Sequence, residues 1–305
     1  MSKIALVGIG KIAVDQHVPA IAGAPEWELA ATVSRRGTVE GVEAWTGIDE
    51  MLAARPDIGA VSLALPPVPR FAYAEAALRA GRHVMLEKPP GATLAECHVL
   101  AALAAKMGVT LFASWHSREA AMVAPAKAWL ADRQVTGAHI TWREDVRHWH
   151  PGQDWVFEPG GMGVLDPGIN ALSILTEILP APVHLQSALL EVPANRQAPI
   201  AADLAFSGGV TAEFNWLQTG PQTWDIQVHC GDDRLTLREG GARMEINGHD
   251  HDEAVVGPTG EYPRLYERFA RLVAAGESDV DLAPLVHVAD AMMLGARKNV
   301  EAFEF

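Results

Sequence analysis

The chain has 305 residues, 49% of them hydrophobic and 20% charged, which is the composition of a soluble globular protein with one large or two ordinary domains. Its 38 acidic and 24 basic residues give a net charge of −14, which argues against nucleic acid or an anionic membrane as a partner. There is no secretory signal, no apolar run of about eighteen residues, and too few cysteines (Cys97 and Cys230) for a disulfide framework, so a cytoplasmic location is expected.

In the first 118 residues, short apolar runs alternate with segments of helical periodicity. This alternation predicts βαβ units around a parallel sheet that is buried on both faces and has right-handed crossovers. The predicted strands lie at 3–10, 28–34, 58–67, 83–90 and 109–116, and the predicted helices at 11–24, 70–81 and 93–107. The sequence therefore predicts an α/β fold with an N-terminal doubly wound parallel sheet over residues 1–118.

Residues 119–305 follow a different pattern, in which several strands succeed one another across short turns. Strands joined in this way are antiparallel, so the sequence predicts a C-terminal α+β domain with an open, mostly antiparallel sheet. The predicted strands lie at 136–149, 183–192, 200–206, 210–217, 224–230, 233–238 and 242–247, and the predicted helices at 119–131, 164–179, 262–275 and 284–302. The last helix, 284–302, is a candidate to pack back on the first domain.

A glycine pattern follows the first predicted strand. The segment "GIGKIA" (8–13) has the form G-x-G-x-x-A and opens a helix, which is the context that makes this pattern a dinucleotide-binding fingerprint. Gly8 permits the tight turn, Gly10 lets a pyrophosphate approach the backbone, and Ala13 lets the helix pack on the strand. The cofactor diphosphate is expected at the helix N-terminus, next to Lys11 and Ile12. The predicted domain is therefore a Rossmann domain.

The end of the second strand decides which cofactor is preferred. An NAD site has an acidic residue there, whereas this chain has Ser34, Arg35 and Arg36. A hydroxyl and a guanidinium can bind a 2′-phosphate, so NADP is the preferred cofactor and NAD is accepted. The alternative interpretation is that these residues form only a basic surface turn.

Two proline-containing turns follow later strands of the predicted parallel sheet. Leu65, Pro66 and Pro67 end one strand, and Glu87 and Lys88 end the next. Ligands bind at the carboxyl ends of such strands, so we expect all five residues to contact the cofactor. Lys88 is expected at the nicotinamide edge, where an ammonium can orient a substrate oxygen and take part in its proton transfer. The isomer of the peptide bond before the next proline is left open.

Together these motifs resemble the glucose–fructose oxidoreductase/inositol dehydrogenase family. The resemblance runs through the whole chain and rests on the fingerprint, the "EKPP" turn and "GGMGVLDPGIN" (160–170). It implies an NAD(P)-binding Rossmann domain, a sugar or polyol held against the second domain's sheet, and functional roles for Lys88 and Asp166. The family usually has a histidine four residues after this aspartate, where this chain has Asn170.

Four segments resemble the L-arabinose/D-galactose 1-dehydrogenase branch of that family: "EKPPGATL" (87–94), "WHSR" (115–118), "EDVRHWHPGQDW" (144–155) and "DPGINALSI" (166–174). The resemblance implies carbohydrate catabolism by oxidation of an aldose at its anomeric carbon to an aldonolactone, with hydride transfer to NAD(P)+. Lys88, Asp166 and Asn170 are then the catalytic residues. Asp166 and Asn170 are four residues apart on one helix face, and Asn170 can hydrogen-bond a hydroxyl without titrating.

The resemblance also implies a sugar pocket lined by His116, Trp149 and Trp224. Nine tryptophans against three tyrosines fit such a pocket, because an indole stacks on the apolar face of a sugar and offers one donor. Each of these side chains also has an alternative role in the core. Glu144 can reach a sugar hydroxyl, or it can simply pair with Arg143 or Arg147.

Other functions are less well supported by the sequence. The histidine-rich segments 148–150 and 249–252 have no third fixed ligand, so no metal is expected. An inositol-type polyol dehydrogenase and a non-catalytic NADP-binding sensor remain alternatives; the sensor would not need both Lys88 and Asp166.

The alternating strands at 203–217 predict an uncovered apolar sheet face, and we expect a homodimer or dimer of dimers through it. Whether galactose or arabinose is preferred is left open.

Overall fold

The computed structural model describes residues 1–251 and 258–305, and the chain divides into two compact units. The first unit contains Met1–His116 and Gly257–Leu282, and the second contains Ser117–Val256 and Ala283–Phe305. The boundary near residue 118 is thus close to the expected one, but the first unit is discontinuous in sequence. In the described part of the chain, no helix combines the length and apolar character needed to cross a membrane.

The first unit is built on a parallel sheet with the strand order β3-β2-β1-β4-β5-β6. Its strands are β1 Ser2–Val7, β2 Trp27–Val33, β3 Glu43–Trp45, β4 Ala60–Leu63, β5 His83–Leu86 and β6 Leu111–Ala113. Side chains on both faces of β1, β4 and β5 are buried, as expected for continuous apolar strands in a doubly wound sheet. The strand order runs outwards from β1 to β3 on one side and from β4 to β6 on the other, so the topological switch point lies between β1 and β4, which is where such sheets bind nucleotides.

Helices cover both faces of this sheet. They are α1 Val18–Gly23, α2 Ile48–Ala54, α3 Pro67–Arg79, α4 Leu94–Met107 and α8 Glu261–Ala275. A π-helical turn, Ala13–His17, precedes α1. Leu265 and Phe269 of α8 pack with Ile4, Trp27 and Phe112 in one core cluster. The C-terminal part of the chain that returns to the first unit is therefore α8, and the expectation that 284–302 packs there is wrong.

The second unit contains a mixed sheet with the strand order β14-β13-β12-β11-β7-β10-β9-β8-β15 in the described residues. Its strands are β7 Gly137–Arg143, β8 Leu185–Pro193, β9 Ala201–Phe206, β10 Val210–Asn215, β11 Thr223–Cys230, β12 Asp233–Arg238, β13 Arg243–Ile246, β14 His249–Asp250 and β15 Ala296–Val300. Among the strands that the structure describes in this sheet, only β7 with β10 and β8 with β15 pair in parallel. The predicted fold class, a Rossmann domain plus a mostly antiparallel sheet, is confirmed.

Helices of the second unit cover one face of its sheet. They are α5 Val123–Leu130, α6 Val146–Trp149, α7 Leu165–Ile178 and α9 Ala283–Leu294. Alternate residues of β9 and β10, such as Leu204, Phe206 and Phe214, are buried on the covered face. The open face carries polar residues such as Asp203 and Thr211. The uncovered face is therefore polar, and the apolar face that was expected to be open lies in the core.

The segment 284–302, predicted as one helix, is a helix followed by a short strand. The helix α9 ends at Leu294, and β15 then pairs in parallel with β8. Gly295 fits between them because a Cβ there would lie 2.5 Å from the Ala291 carbonyl oxygen and 2.9 Å from Leu190. The run of good helix formers predicted a longer helix, and strand pairing within the unit overrides that local preference.

Candidate functional site

The glycine loop after β1 is shaped by two different requirements. Gly8 has φ +89° and donates its N–H to the Val33 carbonyl at 2.9 Å; a Cβ there would lie 2.9 Å from the backbone nitrogen of Leu65. A Cβ on Gly10 would meet nothing within 4 Å. The protein itself thus requires glycine at position 8, while the bare backbone at position 10 leaves room for a ligand. Such a cradle fits a dinucleotide pyrophosphate.

The turn after β2 lies against this loop. The Ser34 hydroxyl accepts the backbone N–H groups of Gly37 at 3.1 Å and Arg36 at 3.4 Å. Gly37 packs so closely on Ile9 that a Cβ would lie 2.4 Å from the Ile9 carbonyl oxygen. Arg35 and Arg36 are exposed. The hydroxyl is therefore fixed beside the glycine loop, with two guanidinium groups on the adjoining surface.

Arg70 connects the two proline-containing turns. It is only 2% exposed, and its guanidinium donates to the backbone carbonyls of Leu65, Glu87 and Pro89. Lys88 is half-buried, and the Lys88–Pro89 peptide bond is cis. No local sequence pattern predicts this role, because an arginine in the first turns of a helix is ordinarily exposed.

Glu87 points into the first unit, where it is 5% exposed. Its Oε1 accepts the Tyr262 hydroxyl at 2.6 Å and lies 3.5 Å from His17 Nε2, and its Oε2 accepts the backbone N–H of Lys88. Burial acts to raise the pKa of Glu87, but hydrogen bonding by His17 and the charge of His116 outweigh it and lower the pKa to about 2. The carboxylate is therefore ionised next to Lys88.

A second hydrogen-bonded chain holds His17 in place. Its Nδ1 lies 2.8 Å from the Tyr266 hydroxyl, which is 3.0 Å from Ser62 Oγ. Burial, followed by the charge of Glu87, raises the pKa of Tyr262 well above its usual value, so both tyrosines act as neutral hydrogen-bonding groups. The sequence does not predict the roles of His17, Tyr262 and Tyr266, because α8 follows the glycine loop by more than 240 residues of chain.

His116 lies in the same cluster. Its ring stacks on Tyr262 with centroids 5.4 Å apart, and its Nδ1 is 2.6 Å from Glu261 Oε2. Burial and the charge of Lys88 act to lower the pKa of His116, but the carboxylates of Glu261 and Glu87 outweigh them and raise it above 6.5. The structure thus brings His116, Glu87 and Lys88 into one electrostatic group, as expected from their positions after neighbouring strands.

In the second unit, Glu144 is buried and holds two tryptophans. Its Oε1 accepts the indole N–H of Trp216 at 3.1 Å, and its Oε2 accepts that of Trp224 at 3.0 Å. The two arginines proposed as alternative partners pair elsewhere: Arg143 with Glu213 and Arg147 with Asp145. Glu144 is therefore a buried acceptor for two indole N–H groups.

Trp224 is the middle ring of an aromatic group. It stacks on Trp142 at 5.6 Å with an interplanar angle of 20°, and it contacts Trp149 at the same centroid distance with an angle of 41°. Trp149 is 37% exposed, so the outer ring of the group faces solvent. The structure therefore brings the two predicted tryptophans together and adds Trp142 and Trp216, which the sequence did not single out.

Asp166 and Asn170 both lie in α7, one turn apart, as predicted. Asp166 is 7% exposed, and its Oδ2 lies 3.5 Å from Nε2 of His150. The His150 ring packs against Trp216 at 5.5 Å, which connects this pair to the group around Glu144. In the segment 249–252, Asp252 lies outside the described residues.

The strand order, the glycine loop and the open strand ends define a nucleotide-binding α/β protein that carries a second, sheet-based unit. A profile of the oxidoreductase family with an NAD-binding Rossmann fold (GFO/IDH/MocA) matches residues 2–114. Over 317 residues the chain is 41% identical to galactose 1-dehydrogenase of Pseudomonas fluorescens, covering 99% of this chain and 98% of that protein. The chain belongs to this oxidoreductase family, which confirms the resemblance drawn from its motifs.

Solved structures agree with this assignment. A D-galactose-1-dehydrogenase from Rhizobium etli is 56% identical, with a TM-score of 0.94 over 100% of this chain and 99% of that one. A 3-ketoreductase from Actinomadura kijaniata, solved with TDP-benzene and NADP, is 20% identical, with a TM-score of 0.83 over 98% and 99% of the two chains. At that identity the second likeness shows the shared fold alone. The predicted oxidoreductase with an NAD(P)-binding Rossmann domain is confirmed.

Proposed function

We propose that the protein is an aldose 1-dehydrogenase that oxidises D-galactose and L-arabinose at the anomeric carbon. The observation that carries this proposal is the full-length similarity, at 41% and 56% identity, to two proteins named as galactose 1-dehydrogenases. The sugar loses a proton from the C1 hydroxyl and a hydride from C1, and the product is an aldonolactone. A bound nicotinamide supplies the hydride acceptor.

The protein is proposed to act in the cytoplasm, which fits its two free cysteines.

Lys88, Asp166 and Asn170 are the proposed catalytic residues. Lys88 handles the proton of the C1 hydroxyl, and its position at the carboxyl end of β5 supports this role. Asp166 and Asn170 orient the same hydroxyl from α7; the asparagine can donate and accept hydrogen bonds without titrating. Their shared face on one helix supports a joint role.

The proposed substrate-binding residues are His116, Glu144, Trp149 and Trp224. The exposed ring of Trp149 suits stacking on the apolar face of a pyranose. The position of His116 just after β6, in the same charged group as Lys88, supports a contact with a sugar hydroxyl. Glu144 contributes by fixing the indole of Trp224.

NADP is the proposed preferred cofactor, with NAD also accepted. Because the Ser34 oxygen already accepts two backbone N–H groups, its own hydrogen is directed to donate to a 2′-phosphate, and Arg35 supplies the charge. The remaining proposed contacts come from the glycine loop and the two proline-containing turns: Gly8, Gly10, Lys11, Ile12, Leu65, Pro66, Pro67, Glu87 and Lys88.

The cofactor proposal is tested with Arg35→Ala. A hydrogen bond to a charged group is worth roughly 1.5–3 kcal/mol, so the KM for NADP should rise about ten- to a hundredfold while the KM for NAD stays nearly constant. Arg79→Ala, an exposed arginine paired with Glu75 on α3, is the matched control and should change neither value. If Arg35→Ala raised the KM for NADP and the KM for NAD equally, Arg35 would not bind the 2′-phosphate.

The substrate proposal is tested with a panel of aldoses, followed by the absorbance of the reduced cofactor. D-galactose and L-arabinose share the hydroxyl arrangement from C1 to C4, so a site that forms hydrogen bonds to these hydroxyls should accept both sugars. D-glucose is inverted at C4 and leaves a buried partner unpaired at a cost of about 1–3 kcal/mol. Its kcat/KM should be lower by about ten- to a hundredfold or more. Equal kcat/KM values for glucose and galactose would show that the site does not recognise the configuration of the C4 hydroxyl.

We also propose a homodimer or a dimer of dimers that forms through the open face of the second unit's sheet. The charges on this face support self-association, because acidic and basic side chains alternate across it. Arg143 lies beside Glu213, and Arg238 beside Asp225 and Glu245. A two-fold axis can set such rows against their own copies with opposite charges opposed.

A further inference from the structure

Tyr262 of α8 contacts two residues of the proposed site with two different parts of its side chain. It is only 5% exposed. Its hydroxyl donates to Oε1 of Glu87 at 2.6 Å. Its ring stacks face to face on the imidazole of His116, with centroids 5.4 Å apart and an interplanar angle of 18°. The edge of His17 packs against the same ring, with centroids 4.9 Å apart and an angle of 71°.

The hydroxyl of Tyr262 fixes the carboxylate that holds the lysine turn. A distance of 2.6 Å is typical of a hydroxyl that donates to an ionised carboxylate. Burial, followed by the charge of Glu87, raises the pKa of Tyr262 well above its usual value, so the proton stays on the tyrosine. The other carboxylate oxygen of Glu87 accepts the backbone N–H of Lys88. A donor that fixes Oε1 of Glu87 therefore also fixes the backbone of Lys88.

The ring of Tyr262 fixes the plane of His116. Burial acts to lower the pKa of His116, but the carboxylates of Glu261 and Glu87 outweigh it and raise the pKa, and a cationic ring is attracted to an aromatic face. Glu261 precedes Tyr262 at the start of α8, and its Oε2 lies 2.6 Å from Nδ1 of His116. Two adjacent residues of α8 thus hold the imidazole at its edge and at its face.

We propose that Tyr262 is a positioning residue that acts on Lys88 through its hydroxyl and Glu87, and on His116 through its ring. The inference rests on the proposed function, in which Lys88 handles the C1 proton and His116 contacts the sugar. The two actions use different atoms of one side chain, so they can be separated by substitution. A tyrosine that only fills the core would affect stability and leave both kinetic constants unchanged.

Two substitutions separate the hydroxyl from the ring. Tyr262→Phe removes the hydroxyl and keeps the stack, so with D-galactose and NADP we expect kcat to fall about ten- to a hundredfold, while the KM for D-galactose stays within about threefold of the wild type. Tyr262→Leu removes both contacts and should in addition raise the KM for D-galactose by about tenfold. Tyr73→Phe, the same change at a half-buried tyrosine of α3, is the matched control and should match the wild type.

The action through Lys88 has two further tests. In a Lys88→Ala background, Tyr262→Phe should cause little additional loss of kcat, because both changes affect one group. The backbone amide of Lys88 should exchange its hydrogen with solvent at least about threefold faster in Tyr262→Phe than in the wild type or Tyr73→Phe. A wild-type kcat in Tyr262→Phe, full additivity with Lys88→Ala, or unchanged amide exchange would overturn this action.

The action through the ring is tested separately. Equal KM values for D-galactose in Tyr262→Leu and Tyr262→Phe would overturn it. In the wild type and in Tyr262→Phe, the ring protons of His116 should be shifted upfield in NMR spectra by the facing ring, and their absence from that region would overturn the stack. If the wild type oxidises no aldose, the proposed function fails, whereas the Lys88 amide exchange and the His116 ring shifts still test the geometry around Tyr262.

Discussion

Glu87 is an ionised carboxylate inside the first unit, and it helps to fix the backbone that carries Lys88. One oxygen accepts the Tyr262 hydroxyl, and the other accepts the Lys88 N–H. On the opposite side of this segment, Arg70 binds the carbonyl oxygens of Glu87 and Pro89. Hydrogen bonds to charged groups contribute roughly 1.5–3 kcal/mol each, so the lysine is presented on a rigid turn.

Replacing Lys88 by Ala should separate catalysis from cofactor binding. Acid–base catalysis is worth about 10²–10⁴-fold, so kcat with D-galactose should fall by that factor. The dissociation constant for NADP, measured by fluorescence titration, should stay within about threefold of the wild type, because the turn is held by Glu87 and Arg70. Lys106→Ala in α4 is the exposed control. Near-normal turnover in Lys88→Ala would exclude a catalytic role.

His116 gives a prediction about pH. Removing the nearest carboxylate with Glu261→Gln leaves burial and Lys88 to dominate, so the pKa of His116 should fall. A histidine with a raised pKa stabilises the folded state at low pH, and this contribution is lost as the pH rises through the folded pKa. The variant's deficit in unfolding free energy should therefore be largest at acidic pH and shrink above it.

The measurement is an NMR titration of the His116 ring together with urea unfolding at several pH values. Glu267→Gln, which removes a carboxylate from the same helix α8, is the matched control and should leave the titration of His116 unchanged. An unchanged titration in Glu261→Gln would mean that the contact of 2.6 Å does not set the charge of His116.

The site residues that belong to local motifs can be predicted from the sequence, whereas the site residues that act on distant parts of the chain cannot. Gly8, Lys88 and Asp166 stand in short patterns whose chemistry can be read directly. Arg70, Tyr262 and Trp216 have no such pattern; their roles arise because folding buries them against a carbonyl or a carboxylate far away in the chain. Burial of a polar side chain depends on tertiary packing, which a single sequence does not display.

At the level of elements, we expect alanine substitutions at Gly8 and Gly10 of the glycine loop to affect different properties, fold stability at Gly8 and cofactor binding at Gly10. Gly8→Ala must place a side chain at φ +89° against Leu65, so it should destabilise the fold by more than about 1 kcal/mol. Gly10→Ala meets open space, so it should leave stability unchanged and weaken NADP binding instead. Urea unfolding and a cofactor titration of both variants check this. Unimpaired NADP binding in Gly10→Ala would argue against a pyrophosphate at that position.

The elements themselves were predictable where hydrophobic periodicity is strong. Most strands lie within a few residues of their predicted ranges, and α7 matches the predicted helix 164–179, but the predicted strand 136–149 ends at Arg143 and β15 lies in a segment predicted as helix. The short elements β3 and α2 were missed, since three to seven residues carry little periodicity. The π-helical turn Ala13–His17 has no signature in a pattern of 3.6 residues, yet it carries the histidine that reaches Glu87.

At the level of the whole molecule, light scattering at micromolar concentration should give two or four times the chain mass of 32.7 kDa. The open sheet face is charged, so about 1 M salt should weaken the assembly. Asp203→Lys reverses a charge on this face and should give a monomer, whereas Glu40→Lys, on an exposed loop of the first unit, should not. A wild-type monomer under these conditions would refute the proposed oligomer.

The discontinuity of the first unit has a consequence for its synthesis. The apolar side chains that α8 covers, such as Ile4, Trp27 and Phe112, leave the ribosome early, but Glu261 follows His116 by 145 residues. At roughly 5–20 residues per second, this interval lasts on the order of 7–30 s. During that time one face of the nascent sheet has α1 but lacks α8. We therefore expect trigger-factor-type or Hsp70-type chaperones to engage chains stalled between these two positions, and release them once α8 has emerged.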